Sequence, residues 1–486
     1  MFATFLNKAD KRKLVFLQYL ENAVSLSETK EILMERLTMS EFLINKTVQE
    51  LNLDFYEWGL NEEFAIVTDG TVIKLNASGL ATSDTLLTYY LDQALKFSML
   101  KECFFEQLSS LYEFATNHYL SHNPVYKEFK QFKLLLKESD IAITKDFQLV
   151  GEEKEVREFV FLFFMKDHSL NQFPFPKEIR EKQQSFARFN DQPWFDPEQS
   201  ARMQIRKRQY LGIVITRILH GHFLENSMDN DLVLPKHQLI IEEILTWLVE
   251  LAPTVTKDIL EREAKDILRF LIAEGWLVDN QTYIDQEQPY IQQLNTDFLA
   301  AIEPHFDLST DTLVLLHKEM TTIHYQLLSF SFISRYECHH MDVTYFLEMY
   351  PEYAAFCRNY LDKNRNRPIF WNNKEFLFFR YLILMVSIIP LQEILGPLYV
   401  CVDFSFGYAY NQMIQKNIVK ILDLNICFQD FLTDDTQLIL SDLPFYSALA
   451  IDHILWLAPP RPIDWANFTE KVNQIRKEQF RAENNQ

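Results

Sequence analysis

Residues 121–138 read SHNPVYKEFKQFKLLLKE, and their interpretation decides how the rest of the chain is understood. Val125, Phe129, Phe132 and Leu136 fall at i, i+4, i+7 and i+11, which is one continuous apolar face of a helix. Asn123 is expected to cap that helix, with Pro124 at its first position. Lys127, Lys130, Lys133 and Lys137 lie on a different face. The whole chain is acidic, with 47 Lys+Arg against 68 Asp+Glu and a formal net charge of −21. Such a charge disfavours indiscriminate contact with nucleic acid, so any contact must come from a local patch. The basic stripe is therefore either an ordinary solvated face or a place where an anion docks.

The neighbouring sequence favours the second reading. Helical patterns precede the stripe at Ser83–Met99, at ECFFEQL (102–108) and at SLYEFATNHYL (110–120), and IAITKDFQLV (141–150) follows as a short wing. That order puts 121–138 where a winged helix-turn-helix carries its recognition helix. The preceding segment has the same order. A helix over Asp10–Asn22 buries Leu14, Leu17 and Leu20. SETKEILMERL (27–37) starts a second helix with Ser27 as its cap, and SEFLINKTVQELNLDF (40–55) starts a third at Ser40. FAIVTDGTVIKL (64–75) sets Asp69-Gly70 between two strand patterns, a strong hairpin signal.

Composition agrees with a mainly α, multidomain protein. At 486 residues the chain exceeds one domain, and with only 9 glycines it is poor in the turn residues of an all-β fold. From about Leu170 to Leu391 helical patterns dominate. The last hundred residues change to short apolar runs, LYVCVDF, LNICF, TQLIL and HILWLAP, alternating with helical stretches, as in a small parallel α/β domain. The five cysteines (Cys103, Cys338, Cys357, Cys401, Cys427) form no CxxC pair, which fits a reducing cytoplasm. The run Tyr381–Gln392 is too short to span a bilayer and reads as a buried helix, and the N-terminus does not read as a signal peptide. ECHH (337–340) lacks a second ligand pair for zinc and reads as surface loop. There is no GxSxG, HExxH or glycine-rich phosphate loop, so neither an enzyme nor a cofactor is expected.

Two helix-turn-helix units, a helical middle and an α/β tail together resemble the Mga/AtxA family of bacterial virulence regulators. Three pieces carry the resemblance. LTMSEFLINKTVQELN (37–52) is similar to the family's recognition helix, with Lys46 in place of the usual arginine. FQLVGEEKEVREFVFLFF (147–164) is similar to its G-x-E-x-x-x-R junction, through Gly151, Glu153 and Arg157. YLGIVITRILHGHFLE (210–225) resembles a helix bearing an arginine and "GH". The resemblance implies five domains: winged helix-turn-helix units at 1–78 and 79–168, PRD-like helical domains at 169–290 and 291–392, and an enzyme IIB-like α/β domain at 393–486. It implies a cytoplasmic transcription activator whose histidines accept phosphate from a phosphocarrier of the sugar phosphotransferase system. His222 and His324 are the first candidates, then His220 and His317. No matching second histidines stand near positions 280 and 385. In the tail, Phe404 occupies the position of the phosphorylated cysteine, ahead of Gly407, and Cys401 lies earlier, inside the strand. A silent tail of this kind suits a homodimer interface.

Double-stranded DNA is the expected partner, with no membrane role. In the second unit Lys127, Lys130 and Lys133 would meet phosphates, while His122, Asn123 and Tyr126 approach base edges. In the first unit Asn45, Lys46 and Gln49 are the corresponding candidates, on a helix crowded with acids. His317 and His324 flank an apolar face of their helix and are expected semi-buried. Two other readings stay open: an RNA-binding antiterminator with the same helical domains, and a helical protein-interaction scaffold.

Overall fold

The computed structural model describes residues 2–23, 25–166, 174–225, 237–278, 289–306, 308–330, 343, 346–347, 350–389, 396–421, 425–444, 450–457 and 459–484. They form two compact units, Met1–Asn280 and Gln281–Gln486. The protein is mainly α, with a small parallel sheet near its C-terminus, as expected.

The first unit begins with α1 (Lys8–Asn22), whose cap Asn7 accepts from the amides of Ala9 and Asp10. After β1 (Ser27–Thr29) come α2 (Lys30–Leu37) and α3 (Glu41–Glu57), the latter capped by Ser40 as the sequence indicated. The hairpin β2 (Phe64–Thr68) and β3 (Val72–Ala77) closes this part. Its turn is set by Asp69, whose carboxylate accepts from the amides of Thr71 and Val72, and by Gly70 at φ 101°. Ser27 is not a helix cap. It lies in a third strand, opposite Lys74, and Thr29 caps α2 instead. The hairpin leaves the backbone groups of β3 unpaired along one edge, and Ser27–Thr29 satisfy them.

Next come α4 (Ser83–Gln93), α5 (Leu95–Phe104), α6 (Leu111–Asn117), α7 (His122–Lys137), the small wing β4 (Ala142–Ile143) and β5 (Leu149–Val150), and α8 (Glu153–Lys166). The single helix expected over Ser83–Met99 is broken at Ala94, which is extended at ψ 123°. The break lets α5 send Phe97 and Phe104 against Phe163 and Phe164 of α8, at 5.9 and 5.3 Å between ring centroids. The N-terminal stretch joins the same core: Phe5 lies 4.2 Å from Phe163 and 5.9 Å from Phe132.

Beyond α8, the helices α9 (Lys177–Gln184), α10 (Ala201–Leu219), α11 (Gln238–Leu251) and α12 (Lys257–Ala273) continue the first compact unit. Helix α8 is buried on both sides, since its Phe161 also meets Tyr210 of α10 and Phe270 of α12. Gly212 allows α9 and α10 to approach. A Cβ there would meet Phe175 at 2.6 Å and the Gln183 amide closer still, while that amide donates to the Arg208 carbonyl at 2.6 Å. Gly212→Ala should therefore destabilise by about 1–3 kcal/mol through overpacking. An unchanged urea midpoint would contradict this close approach.

In the second unit, α13 (Pro289–Ile302), α14 (Thr310–Ser329), α15 (Pro351–Lys363), α16 (Pro368–Asn372) and α17 (Lys374–Ile388) enclose one core around Phe298, Leu316, Met320, Cys357, Tyr381 and Met385. Among the described residues no helix is long and apolar enough to cross a membrane. Of the apolar run 381–392, residues 381–388 form the end of α17, with Tyr381, Leu382, Leu384 and Met385 buried, and 390–392 lie outside the described residues.

The tail strands β6 (Leu398–Asp403), β7 (Ile426–Gln429), β8 (Leu438–Ser441) and β9 (Asp452–Leu455) pair in the order β7-β6-β8-β9, all parallel. Helices α18 (Tyr408–Ile421) and α19 (Pro462–Asn484) supply Ile414, Ile418, Phe468 and Val472 to its core.

Candidate nucleic-acid interface

Helix α7 turns Val125, Phe129, Phe132 and Leu136 inward, all buried. Ser121, not Asn123, occupies the cap position, and Pro124 is the third helical residue. Proline fits there because the first-turn amides have no partner within the helix. His122, Asn123, Tyr126, Lys127, Lys130, Lys133 and Lys137 are all exposed. Leu134, 59% exposed, lies among the lysines and was not read from the sequence as part of this face.

The electrostatics of the face follow from its pairing. The helix carries four lysines and one acid, Glu128, and that acid is engaged by the buried Lys96 at 2.8 Å. Among the described residues, none of the four lysines pairs with a carboxylate; Lys133 only overlies the Phe129 ring at 5.2 Å. These charges are therefore free to meet an anion. The wing abuts the helix through Phe147, whose ring lies 5.5 Å from Phe129, and its turn exposes Lys145.

Helix α3 differs. It has one lysine against four acids, and Lys46 lies 3.7 Å from Glu50, which also pairs with Arg12. Asp54 holds Lys13 and the Tyr90 hydroxyl, both at 2.5 Å. Gln49 and Lys46 are exposed and Asn45 is half-buried. Phe42, Leu53 and Tyr56 on the same helix are 76, 60 and 74% exposed.

The two sequence motifs read separately, at 151–157 and 217–222, converge in one buried cluster. Glu153 accepts from Arg157 Nε at 2.7 Å and from Arg217 Nη2 at 2.6 Å. Arg157 also makes a two-pronged pair with Glu263 of α12, at 2.5 and 3.1 Å, which no sequence pattern indicated. Gly221, at φ 81°, ends α10 and lets the His222 amide return to the Arg217 carbonyl at 2.9 Å. The His222 ring then meets Glu106 of the second helix-turn-helix segment, Nε2 to Oε1 at 2.6 Å. His220 is more exposed, with Nδ1 4.0 Å from the same oxygen; its pKa is lowered, first by burial, against the attraction of Glu106.

His324 does not sit at the edge of a core but is fully buried. Its Nδ1 lies 2.6 Å from Asn295 Oδ1, and its Nε2 lies 2.7 Å from the Tyr381 hydroxyl. Asn295 in turn donates to Thr321, and Thr321 to the His317 carbonyl. The chain is satisfied by a neutral imidazole that donates from Nδ1 and accepts at Nε2. The partners come from other helices, so the spacing within α14 gave no sign of them. His317 is half-buried. Burial first, then the charges of Arg367 and His317, lower His324 from 6.5 to about 3. The unfolded chain thus takes up a proton from about pH 6.5 downward, and the folded unit only near pH 3. Stability should be full above pH 6.5 and fall by about 2 kcal/mol at pH 5. Urea titrations at pH 7 and 5 check this, with His324→Gln expected to remove most of the slope; an unaltered slope in that variant would contradict it.

In the tail, Cys401 is buried inside β6, its thiol pushed up to about 11 by burial and by Asp403 and Asp430. Phe404 is buried at the strand's end, and Gly407, at φ 81°, precedes α18. ECHH lies outside the described residues. Among the described residues no group of three or more His, Cys, Asp or Glu could hold a metal ion.

Residues 81–164, which hold α7 and its wing, match the family model of the Mga helix-turn-helix domain. A domain of this type points to a DNA-binding regulator. No curated protein matches the chain significantly.

Proposed function

We propose that this chain, whose residues 81–164 form a helix-turn-helix domain of the Mga type, is a cytoplasmic transcription regulator that grips duplex DNA through α7. The observation that carries the reading is the lysine face on that helix, which pairs with no carboxylate among the described residues. Lys127, Lys130 and Lys133 supply affinity and register on phosphates, and His122, Asn123 and Tyr126 reach toward base edges. Asn45, Lys46 and Gln49 of α3 play at most a supporting part, because Lys46 is already tied to Glu50. The exposed Phe42, Leu53 and Tyr56 favour a protein-facing role for that helix, which keeps the scaffold reading alive for the first helix-turn-helix segment alone. A gel-shift comparison of the full chain on promoter duplex and on RNA of matched sequence tests the reading. Preference for duplex supports it, and preference for RNA would favour the antiterminator instead.

The helical segments after α8 act on this reading as PRD-like signal domains, and the tail as an enzyme IIB-like dimerisation domain. Phosphate from a phosphotransferase-system carrier would reach His222 or His220 before His324, whose ring nitrogens are both engaged in a closed core. The dimer reading draws support from Phe406 and Phe431, 66 and 73% exposed, in loops that follow β6 and β7 at the carboxyl end of the sheet. Replacing both by serine should convert a dimer to monomer in sedimentation velocity. A dimer of undiminished affinity would count against that surface.

A further inference from the structure

We infer that the start of α7 reads thymine, with the Tyr126 ring, and the Tyr119 ring in the turn before it, packing on the methyl groups that thymine carries in the major groove. This rests on the reading that α7 grips duplex DNA, and it names what is recognised there.

A helix that met only phosphates would need cations and little else. Helix α7 sets apolar surface among its cations. Tyr126, Lys130, Lys133 and Lys137 fall at i, i+4, i+7 and i+11, so they share one face. Tyr126 is 59% exposed, and the His122 ring lies 6.4 Å from it, inclined by only 20°. Leu134, equally exposed, stands four residues after Lys130 and three before Lys137. A single exposed apolar side chain is ordinary. Here they alternate with lysines that pair with no carboxylate among the described residues. The charges call for an anionic occupant, and the rings call for apolar groups set between its charges. Duplex DNA offers both, as phosphates along the rims of the major groove and a methyl group on its floor at each A·T pair.

Tyr119 adds a second ring. It lies in the turn between α6 and α7 and is 97% exposed, more than any other large apolar side chain among the described residues. The turn is built to hold it out. The Tyr119 amide donates to the Thr116 carbonyl at 3.1 Å, and the Leu120 amide to the Ala115 carbonyl at 2.8 Å. These bonds satisfy carbonyls at the end of α6, with Tyr119 at φ 55°, where helices usually place glycine. Beside it, the His118 ring packs on Phe114 at 4.2 Å, and its Nε2 meets Glu102 of α5 at 3.0 Å. A ring presented on an anchored turn loses little freedom when it is covered. Both tyrosines stand near the N-terminal end of α7, the part of a recognition helix that meets base edges.

An alternating A·T duplex made with thymine, and the same duplex made with uracil, test the contact. The two bases differ by the methyl group alone, so charge and pairing are kept. Fluorescence anisotropy with the full chain, at one salt concentration, reads both affinities. Wild type should prefer the thymine duplex by about fourfold for each methyl buried. Tyr119 and Tyr126 are exposed, so replacing them leaves the core untouched. Tyr119→Ser and Tyr126→Ser should each reduce the preference and together abolish it. Tyr126→Phe, which keeps the ring, should retain it. Equal wild-type affinity for the two duplexes would overturn the thymine contact and leave the DNA reading standing. A preference undiminished in the double serine variant would also overturn it. An alternating G·C duplex separates the remaining failures. Binding to that duplex and not to the thymine one would overturn the contact alone, and binding to neither would overturn the DNA reading and the contact with it.

Discussion

Replacing Lys127, Lys130 and Lys133 together by glutamate should abolish duplex binding by the full chain while leaving its fold intact. All three side chains are exposed, and among the described residues none pairs with a carboxylate, so no ion pair is broken. The substitution does remove Lys133 from the face of the Phe129 ring, which costs about 0.5 kcal/mol at an exposed site. Each lysine that neutralises a phosphate releases counterions, so milder replacement by alanine should reduce the slope of log affinity against log salt by about 3. Lys46→Glu in α3 should have a much smaller effect, because Glu50 already occupies that lysine. Fluorescence anisotropy across a salt series measures both. Duplex affinity unchanged in the triple glutamate variant would remove α7 from the interface.

Arg157→Met should destabilise the unit Met1–Asn280 by about 3–5 kcal/mol. Arg157 is 1% exposed and answers two carboxylates, Glu153 and Glu263. Glu153 retains Arg217, but Glu263, wholly buried, keeps among the described residues only the Leu224 amide at 3.0 Å. The cost is that of an uncompensated charge in a closed interior, not of the ion pair itself. Combining Arg157→Met with Glu263→Gln should therefore recover a large part of the stability, and a double-mutant cycle in urea measures the coupling. A single variant destabilised by less than about 1 kcal/mol would mean that water reaches Glu263 and that the cluster is not closed.

Features set by neighbouring residues were legible in the sequence, and those set by distant ones were not. Asp69-Gly70 specified its hairpin and Ser40 its helix start, since both act within three residues. The inward face of α7 followed from spacing alone, as did the alternation of strands and helices in the tail. The strand at Ser27–Thr29 was missed because its partner, β3, lies some forty-five residues away in sequence, at Val72–Lys74. The insertion of Phe5 beside Phe132 and Phe163 has the same character. Within the site, the lysines were visible as a stripe, but that none pairs with a carboxylate among the described residues is a property of the fold. The resemblance drew attention to Glu153, Arg157 and Arg217 without their geometry. Glu263, which completes the cluster, and Glu106, which meets His222, stand in segments whose local pattern says nothing of either contact.

The most direct test of the central claim is site-specific crosslinking to a bound promoter duplex from a photoreactive residue at position 123, with position 49 of α3 as the matched comparison. Strong crosslinks to DNA are expected from position 123, at the start of α7, and weak ones or none from position 49. Crosslinks from position 49 alone would contradict this and move the DNA contact to α3 of the first helix-turn-helix segment.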